Sequence, residues 1–390
     1  MPIIYLYVEV LANIRQANLY ASLETHKNEH TKIDIASDKK TITVSHDGES
    51  ASIYLPTEIG GTAEVNIPID RGKEMSVRLE LADIMNMPCV GNTTGDEAPW
   101  SANDLSANTQ LRCRECKTEI LTNELPLQFK DLPSEHWAEM MDIWHCHRPQ
   151  DIEPSQGEDA RRAADSKGYG ASTKLKAAAG VAFVDTASFL FAEQSCKDVQ
   201  THNSELHCTT CKALLGAIDV SAEGWRLYKS SLSLRPSPTA EWQSFPPEIF
   251  ISSQLLSLIG SSAARKFIIH SHDDTKQGLL IWVFNPDMRY SSSRRSEPVV
   301  RALKIFYQDA EDPQKLLDEH QASLEELPLP ASVFESLKKV LIESTEFLPP
   351  SARKFQDWTI GLIDRYERSS SDGLKYFDSV THNVIERSSD

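Results

Sequence analysis

Cysteine is scarce in this chain, at 7 of 390 residues, and basic residues fall short of acidic ones, with 40 Lys+Arg against 57 Asp+Glu. The net charge of −17 leaves little of the basic face that phosphate contact needs. Direct nucleic-acid binding is therefore disfavoured, and a basic protein partner is the more natural complement. No run of about 18 apolar residues occurs, so no membrane-spanning helix is expected. The first 16 residues, MPIIYLYVEVLANIRQ, are apolar but alternate, and they lack a basic start and a small-residue cleavage site. They read as a strand, not a signal peptide. Also missing are a Walker loop, a nucleophile elbow and a His-Glu-x-x-His helix, while GYGAST (168–173) lacks the third glycine of a dinucleotide loop. What is left, 40% hydrophobic and 25% charged, is ordinary globular composition with room for two or three domains.

Four of the few cysteines fall into two copies of one phrase. Leu111, Cys113, Cys116, Lys117 and Ile120 match Leu206, Cys208, Cys211, Lys212 and Leu215. A Cys-x-x-Cys turn presents two thiolates to one metal, and two such turns complete a tetrahedron. The 91 residues between Cys116 and Cys208 exceed the separation in a simple zinc ribbon. The matching flanks nevertheless predict two similar knuckles facing each other across a zinc ion, each leading into a strand (TEIL, ALLGAI). The bland reading is four reduced, buried cysteines. Four sulfur ligands leave no open position, so such a zinc is structural and does not activate water. Paired cysteines without an export signal also indicate a reducing compartment.

Alternation rich in Val, Ile and Tyr marks strands at 2–10, 41–55 and 75–81, with a hairpin signal at HDGE. The expected fold class is α+β. Residues 1–90 form an N-terminal antiparallel β domain, 106–220 a zinc-stapled β-rich region with a mobile insertion at 150–178, and 221–370 an α+β part ending in helices, followed by a flexible tail at 371–390. Strands are expected at 181–191, 224–234, 265–271, 278–285 and 300–308, with a helix at 248–262. Val333, Phe334, Leu337, Val340 and Leu341 form a helical stripe with Glu335 and Lys339 as an i,i+4 pair. Pro349-Pro350 interrupts it, and Phe355, Trp358, Ile360, Leu362 and Ile363 are expected to resume it.

A second cluster lies in LPSEHWAEMMDIWHCHRP (132–149). A helix capped by Ser134 places Trp137, Met140, Met141 and Trp144 on one face and ends near His145, because Pro149 cannot continue it. Cys146 then sits at a helix C-terminus, whose partial charge opposes a thiolate, between His145 and His147, which favour one if protonated. Structural packing, a reactive thiol and a second metal ligand are all open for it. Two further clusters are weaker. His270, His272, Asp273 and Asp274 read as a solvated strand end, and SSSRRS (291–296) as a small basic loop.

Taken in order, LRCREC, the Trp144-x-Cys146-His147 segment, LHCTTCKALLG and ALKIFY (302–307) resemble the HECT-like ubiquitin ligase family, or ubiquitin-conjugating enzyme-binding proteins. The resemblance runs over roughly residues 1–310. It implies ubiquitin-protein transferase activity, a charged ubiquitin-conjugating enzyme as partner, and a thioester cysteine if the mechanism is HECT-like. A yeast member is named as important for cleavage and polyadenylation. The same resemblance therefore implies an alternative role as a non-catalytic adaptor or chaperone for the endonuclease of mRNA 3′-end processing, in cytoplasm and nucleus. A HECT ligase keeps its acceptor in the C-terminal lobe, but no cysteine follows Cys211 here. The candidate acceptors are Cys146, Cys89 and Cys196, with Cys146 the one inside the family-like segment.

Overall fold

The computed structural model describes residues 4–11, 14–60, 72–82, 98–122, 126–132, 176–319 and 324–368. They fall into two compact units, one built from residues up to 98 together with 246–368, the other from 99–245. The class is α+β and β-rich, with three α-helices among the described residues.

The first unit begins with β1 (Ile4–Leu11), β2 (Gln16–Leu23), β3 (Lys32–Ile35), β4 (Thr41–His46), β5 (Glu49–Tyr54) and β6 (Glu74–Glu80). The expected hairpin is present. Asp47 and Gly48 join β4 to β5 at φ 49° and 88°, the doubly left-handed turn that suits the twist of paired strands. The cysteine unit carries β7 (Gln110–Cys113), β8 (Gln128–Asp131), β9 (Val181–Val184), β10 (Ser188–Phe191), β11 (Val199–His202), β12 (Glu205–Cys208), β13 (Leu214–Asp219), β14 (Gly224–Tyr228) and β15 (Leu232–Arg235). The chain then returns to the first unit. It adds α1 (Pro247–Ser262), β16 (Lys266–Ser271), β17 (Gly278–Ser292), β18 (Val300–Ala310), α2 (Pro313–Glu319), β19 (Glu325–Leu329), α3 (Ala331–Thr345), β20 (Lys354–Phe355) and β21 (Trp358–Asp364).

The main sheet runs β20-β21-β18-β17-β1-β2-β6, with β16 on the first half of β17 and β19 parallel to β16. The N-terminal strands and those after residue 246 thus share one sheet, because β1 hydrogen-bonds to the second half of β17 with Tyr7 opposite Ser292. That central place explains why β1 is buried along almost its whole length. β17 runs seven residues beyond the expected end at 285, through Pro286 to Ser292. Its register shifts between Val283 and Met288, and such an irregularity tolerates the missing proline N–H. Helices α1 and α3 cover the face formed by Phe267, Ile281, Val283, Ile305 and Ile363, burying Leu255, Leu337 and Leu341.

Two local expectations are corrected. Residues 355–363 are strands, not helix, so the described chain does not end in helices. Trp358, Ile360 and Leu362 pack toward Phe306 while Ile363 joins the opposite core, which is a period of two. On α3, Lys339 pairs with Glu343 at 3.8 Å and Glu335 with Lys338 at 3.7 Å, so the expected Glu335–Lys339 contact is not the one made.

In the cysteine unit, a seven-stranded sheet runs β11-β12-β13-β14-β10-β9-β8, and β7 pairs with β15. Its core includes Trp100, 0% exposed, packed on Phe189 and Phe245. Lys229 is also buried, and its amine donates to the carbonyls of Pro99 (3.0 Å) and Trp100 (3.1 Å). Burial lowers its pKa to about 7, against the pull of Asp185, Asp131 and Asp104. Below pH 7 the amine is charged in the folded and unfolded chain alike, and the cost of burying that charge is fully present. Between about 7 and the ordinary 10.5, only the unfolded chain keeps the proton, so stability should rise with pH. Denaturant unfolding at pH 7 and 9 should show wild type gaining about 2 kcal/mol relative to Lys229→Met. An unchanged gap would mean that Lys229 stays charged in the fold.

Candidate metal centre

Each knuckle grows from a buried strand. Leu111 and Leu206 anchor β7 and β12, and Ile120 and Leu215 anchor the segments that leave, all at 0–1% exposure. The apolar residues of the repeated phrase therefore fix where its sulfurs can go. Cys113 N–H donates to Thr118 C=O at 2.8 Å, and Cys208 N–H to Ala213 C=O at 2.9 Å. Inside each turn, Lys117 N–H reaches Cys113 C=O at 3.1 Å, and Lys212 N–H reaches Cys208 C=O at 3.0 Å. The repeat in sequence is a repeat in hydrogen bonding.

The shared lysine has a role that spacing alone did not reveal. Lys117 and Lys212 sit at φ 66° and 63°, the left-handed region that closes the turn. Each folds its ammonium onto a carbonyl of its own knuckle, Arg114 in the first and Thr209 in the second. The backbone favours glycine at both positions, whereas the side chain contributes those hydrogen bonds. Glycine at 117 or 212 should therefore leave the protein about 1 kcal/mol more stable than alanine at the same position, because both lose the ammonium and only alanine keeps the strain. Equal denaturation midpoints for the two variants would refute the strain argument.

Neighbouring segments of the chain lock the knuckles in place. Arg114 N–H donates to Ser231 C=O at 3.0 Å, and its guanidinium reaches Phe245 C=O at 3.0 Å. Thr209 N–H donates to Asp198 C=O at 2.9 Å.

The two knuckles converge. The four Sγ atoms of Cys113, Cys116, Cys208 and Cys211 all lie within 4.8 Å of one another. Cys113 Sγ is 3.6 Å from Cys211 Sγ, and Cys116 Sγ is 3.5 Å from Cys208 Sγ. Metal–sulfur bonds of ~2.3 Å in a tetrahedron put sulfurs about 3.8 Å apart, so the spacing fits a shared ion. It is too long for disulfides, which need about 2.05 Å. Burial pushes the Cys113 thiol up to about 12, whereas hydrogen bonding with Thr118 brings Cys116 down to about 6. Four adjacent thiolates need a cation to coexist, and a soft divalent ion would deprotonate all four. These residues could hold such a metal, in a closed site with no vacant position for chemistry.

Among the other candidates, Cys146, Trp144, His147 and Cys89 lie outside the described residues, as does the insertion through residue 175. Cys196 is described and is a poor nucleophile, since burial pushes its thiol up to about 12. His270 closes β16 between the Ser271 carbonyl (2.9 Å) and Glu326 (2.6 Å), and it joins no metal-holding group among the described residues. The basic loop is neutralised, with Arg294 on Glu346 and Arg295 on Asp364.

Fold and centre together define a β-rich α+β protein, one unit of which gathers four cysteines that could hold a metal ion. The model of the HECT-like ubiquitin-conjugating enzyme (E2)-binding family matches residues 9–360, and the chain belongs to that family. It is 24% identical over 345 residues to an uncharacterised protein of Saccharomyces cerevisiae, covering 84% of this chain and 92% of that one. An uncharacterised protein of Schizosaccharomyces pombe is 24% identical over 329 residues, 80% of this chain and 89% of the relative. A Homo sapiens protein named as an E3 ubiquitin-protein ligase is 23% identical over 284 residues, 64% of this chain and 71% of its own length. No solved structure matches the chain.

Proposed function

We propose that the protein binds a ubiquitin-charged conjugating enzyme and promotes transfer of ubiquitin to protein substrates by recruitment, on a scaffold braced by one structural zinc ion. The observation that carries the reading is the match to an E2-binding family across residues 9–360. The relatives named as ubiquitin ligases support the same partner. Recruitment is favoured over a covalent relay by the state of the described cysteines. Four converge on one site, and Cys196 is held protonated by burial. Zinc is the ion that suits an all-sulfur, closed tetrahedron, and it would cross-link the two knuckles without taking part in transfer.

The second reading is a non-catalytic adaptor for the pre-mRNA cleavage and polyadenylation endonuclease. The same state of the described cysteines, four gathered in one cluster and Cys196 held protonated by burial, supports it. Both roles fit the reducing cytoplasm and nucleus, where thiolates persist.

The test loads a panel of conjugating enzymes with ubiquitin, adds wild type or Cys146→Ser, and resolves the products on non-reducing gels. Recruitment predicts faster discharge of one or more loaded enzymes, no reducible ubiquitin adduct on this protein, and equal rates for both forms. An adduct present on wild type and absent from Cys146→Ser would establish a thioester relay instead. Unchanged discharge across the panel, with the endonuclease bound in a pull-down of purified components, would favour the adaptor.

A further inference from the structure

The metal centre is unevenly covered. Cys113 and Cys208, the first cysteine of each knuckle, are 0% exposed, Cys116 is half-buried, and Cys211 is exposed. Solvent therefore reaches the cluster from the Cys211 side. A thiolate there is open to a small oxidant. All four sulfurs lie within 4.8 Å of one another, and two short contacts cross from one knuckle to the other. Cys113 Sγ stands 3.6 Å from Cys211, and Cys116 Sγ stands 3.5 Å from Cys208, so both contacts run between knuckles.

From this geometry we infer that the centre is a site of oxidative modification, in which hydrogen peroxide replaces the metal brace by two disulfides joining the knuckles, Cys113–Cys211 and then Cys116–Cys208. The first step is attack of the Cys211 thiolate on peroxide, which cleaves the O–O bond, makes a sulfenic acid and releases hydroxide. The Cys113 thiolate then attacks that sulfenic sulfur and expels a second hydroxide, leaving the Cys113–Cys211 bond. Two thiolates lose two electrons, one peroxide gains them, and two protons from solvent complete two waters. With two ligands gone, the ion is held only by Cys116 and Cys208. A second peroxide oxidises that pair by the same balance, and the metal leaves as a divalent cation.

The strands need not part. Each bond forms between sulfurs already in contact, while β7 stays on β15 and β12 stays between β11 and β13. The oxidised chain keeps its brace in covalent form. It loses its dependence on metal and regains it when a thiol reductant restores the four cysteines.

The release of metal rests on the zinc reading above, whereas the pairing of the sulfurs does not, and one experiment separates the two. Metal content of the purified full chain is measured first, and zinc-free protein at that stage removes the ion without touching the pairing. The chain is then treated with one and two equivalents of hydrogen peroxide, alkylated and digested with trypsin without reduction. Cleavage after Arg112, Arg114 and Lys117 puts Cys113 and Cys116 on separate peptides, 113–114 and 115–117, while Cys208 and Cys211 share peptide 198–212. Two equivalents should give one species containing all three peptides, and fragmentation between Thr209 and Thr210 should assign Cys113 to Cys211. One equivalent should join 113–114 to 198–212 with Cys116 and Cys208 alkylated. After full oxidation, excess chelator should leave the thermal midpoint of the 99–245 unit within about 2 °C, whereas chelator on reduced protein abolishes that unit's transition. Peptide 113–114 linked only to 115–117, with 198–212 closed on itself, would overturn the pairing. Sulfinic or sulfonic acids in place of disulfides would overturn the whole inference.

Discussion

Serine at position 208 should empty the metal site and abolish cooperative folding of the 99–245 unit. Cys208 is 0% exposed, sits at the end of a strand held on both sides, and touches Cys116 across the centre at 3.5 Å. Serine keeps nearly the same shape but offers a hard oxygen that stays protonated where a thiolate would ligate, so three sulfurs would be left around a weakly held ion. Structural zinc supplies on the order of 10–16 kcal/mol in small domains, and whole-domain stabilities are about 5–15 kcal/mol. Losing that contribution would match or exceed the whole stability of a unit this size. Elemental analysis should find less than a tenth of an equivalent of zinc. Fluorescence from Trp100, Trp225 and Trp242 should lose its sigmoidal response to denaturant. Cys196→Ser is the control: its thiol belongs to no metal-holding group among the described residues, and the change should cost only about 1–2 kcal/mol with zinc retained. A Cys208→Ser protein with a normal transition would show that the four cysteines are packed thiols and not a brace.

Gly216→Val should be nearly as damaging, through backbone and not through metal. Gly216 lies in β13 opposite Leu227 on one side and Leu206 on the other, beside the register shift between Leu206 and His207. A Cβ there would stand 2.0 Å from the Arg226 carbonyl oxygen and 2.9 Å from the Leu227 Cα, and neither atom belongs to a side chain that could swing away. To admit it, β13 must separate from β14, which withdraws the Leu215 anchor and loosens the strand that delivers Cys208. The expected loss is about 3 kcal/mol or more, at the upper end for overpacking. Zinc should also pass to a chromophoric chelator at least tenfold faster than from wild type. A folded Gly216→Val protein with unchanged midpoint and release rate would mean that β13 and β14 can separate at little cost.

The parts legible in the sequence are those written in local patterns. Asp47-Gly48 announces its hairpin because only a doubly left-handed turn joins adjacent alternating strands so tightly. The Leu-x-Cys-x-x-Cys-Lys phrase announces two equivalent knuckles, and the structure brings all four sulfurs together although 91 residues separate the pairs. The helix near 248–262 starts behind Pro246-Pro247, and the one over the Val333–Leu341 stripe follows from its period. Less legible was anything set by distant pairing. That β1 lies beside the far end of β17 depends on contacts nearly 300 residues apart, which no local pattern encodes. The misreading of 355–363 has a narrower cause. Trp358, Ile360, Leu362 and Ile363 satisfy either period over so short a run, and β18 offered an open edge that decided for a strand. The left-handed lysines were hidden because lysine is not the residue that such a turn prefers.

The most direct test of the account is native mass spectrometry with elemental analysis on the full chain, purified under reducing conditions without added metal. One equivalent of zinc per chain is expected. Thiol titration of the folded protein should leave Cys113, Cys116 and Cys208, the three less exposed sulfurs, unreactive until a chelator removes the ion and the 99–245 unit unfolds. A folded, metal-free chain whose four cysteines react freely would contradict it.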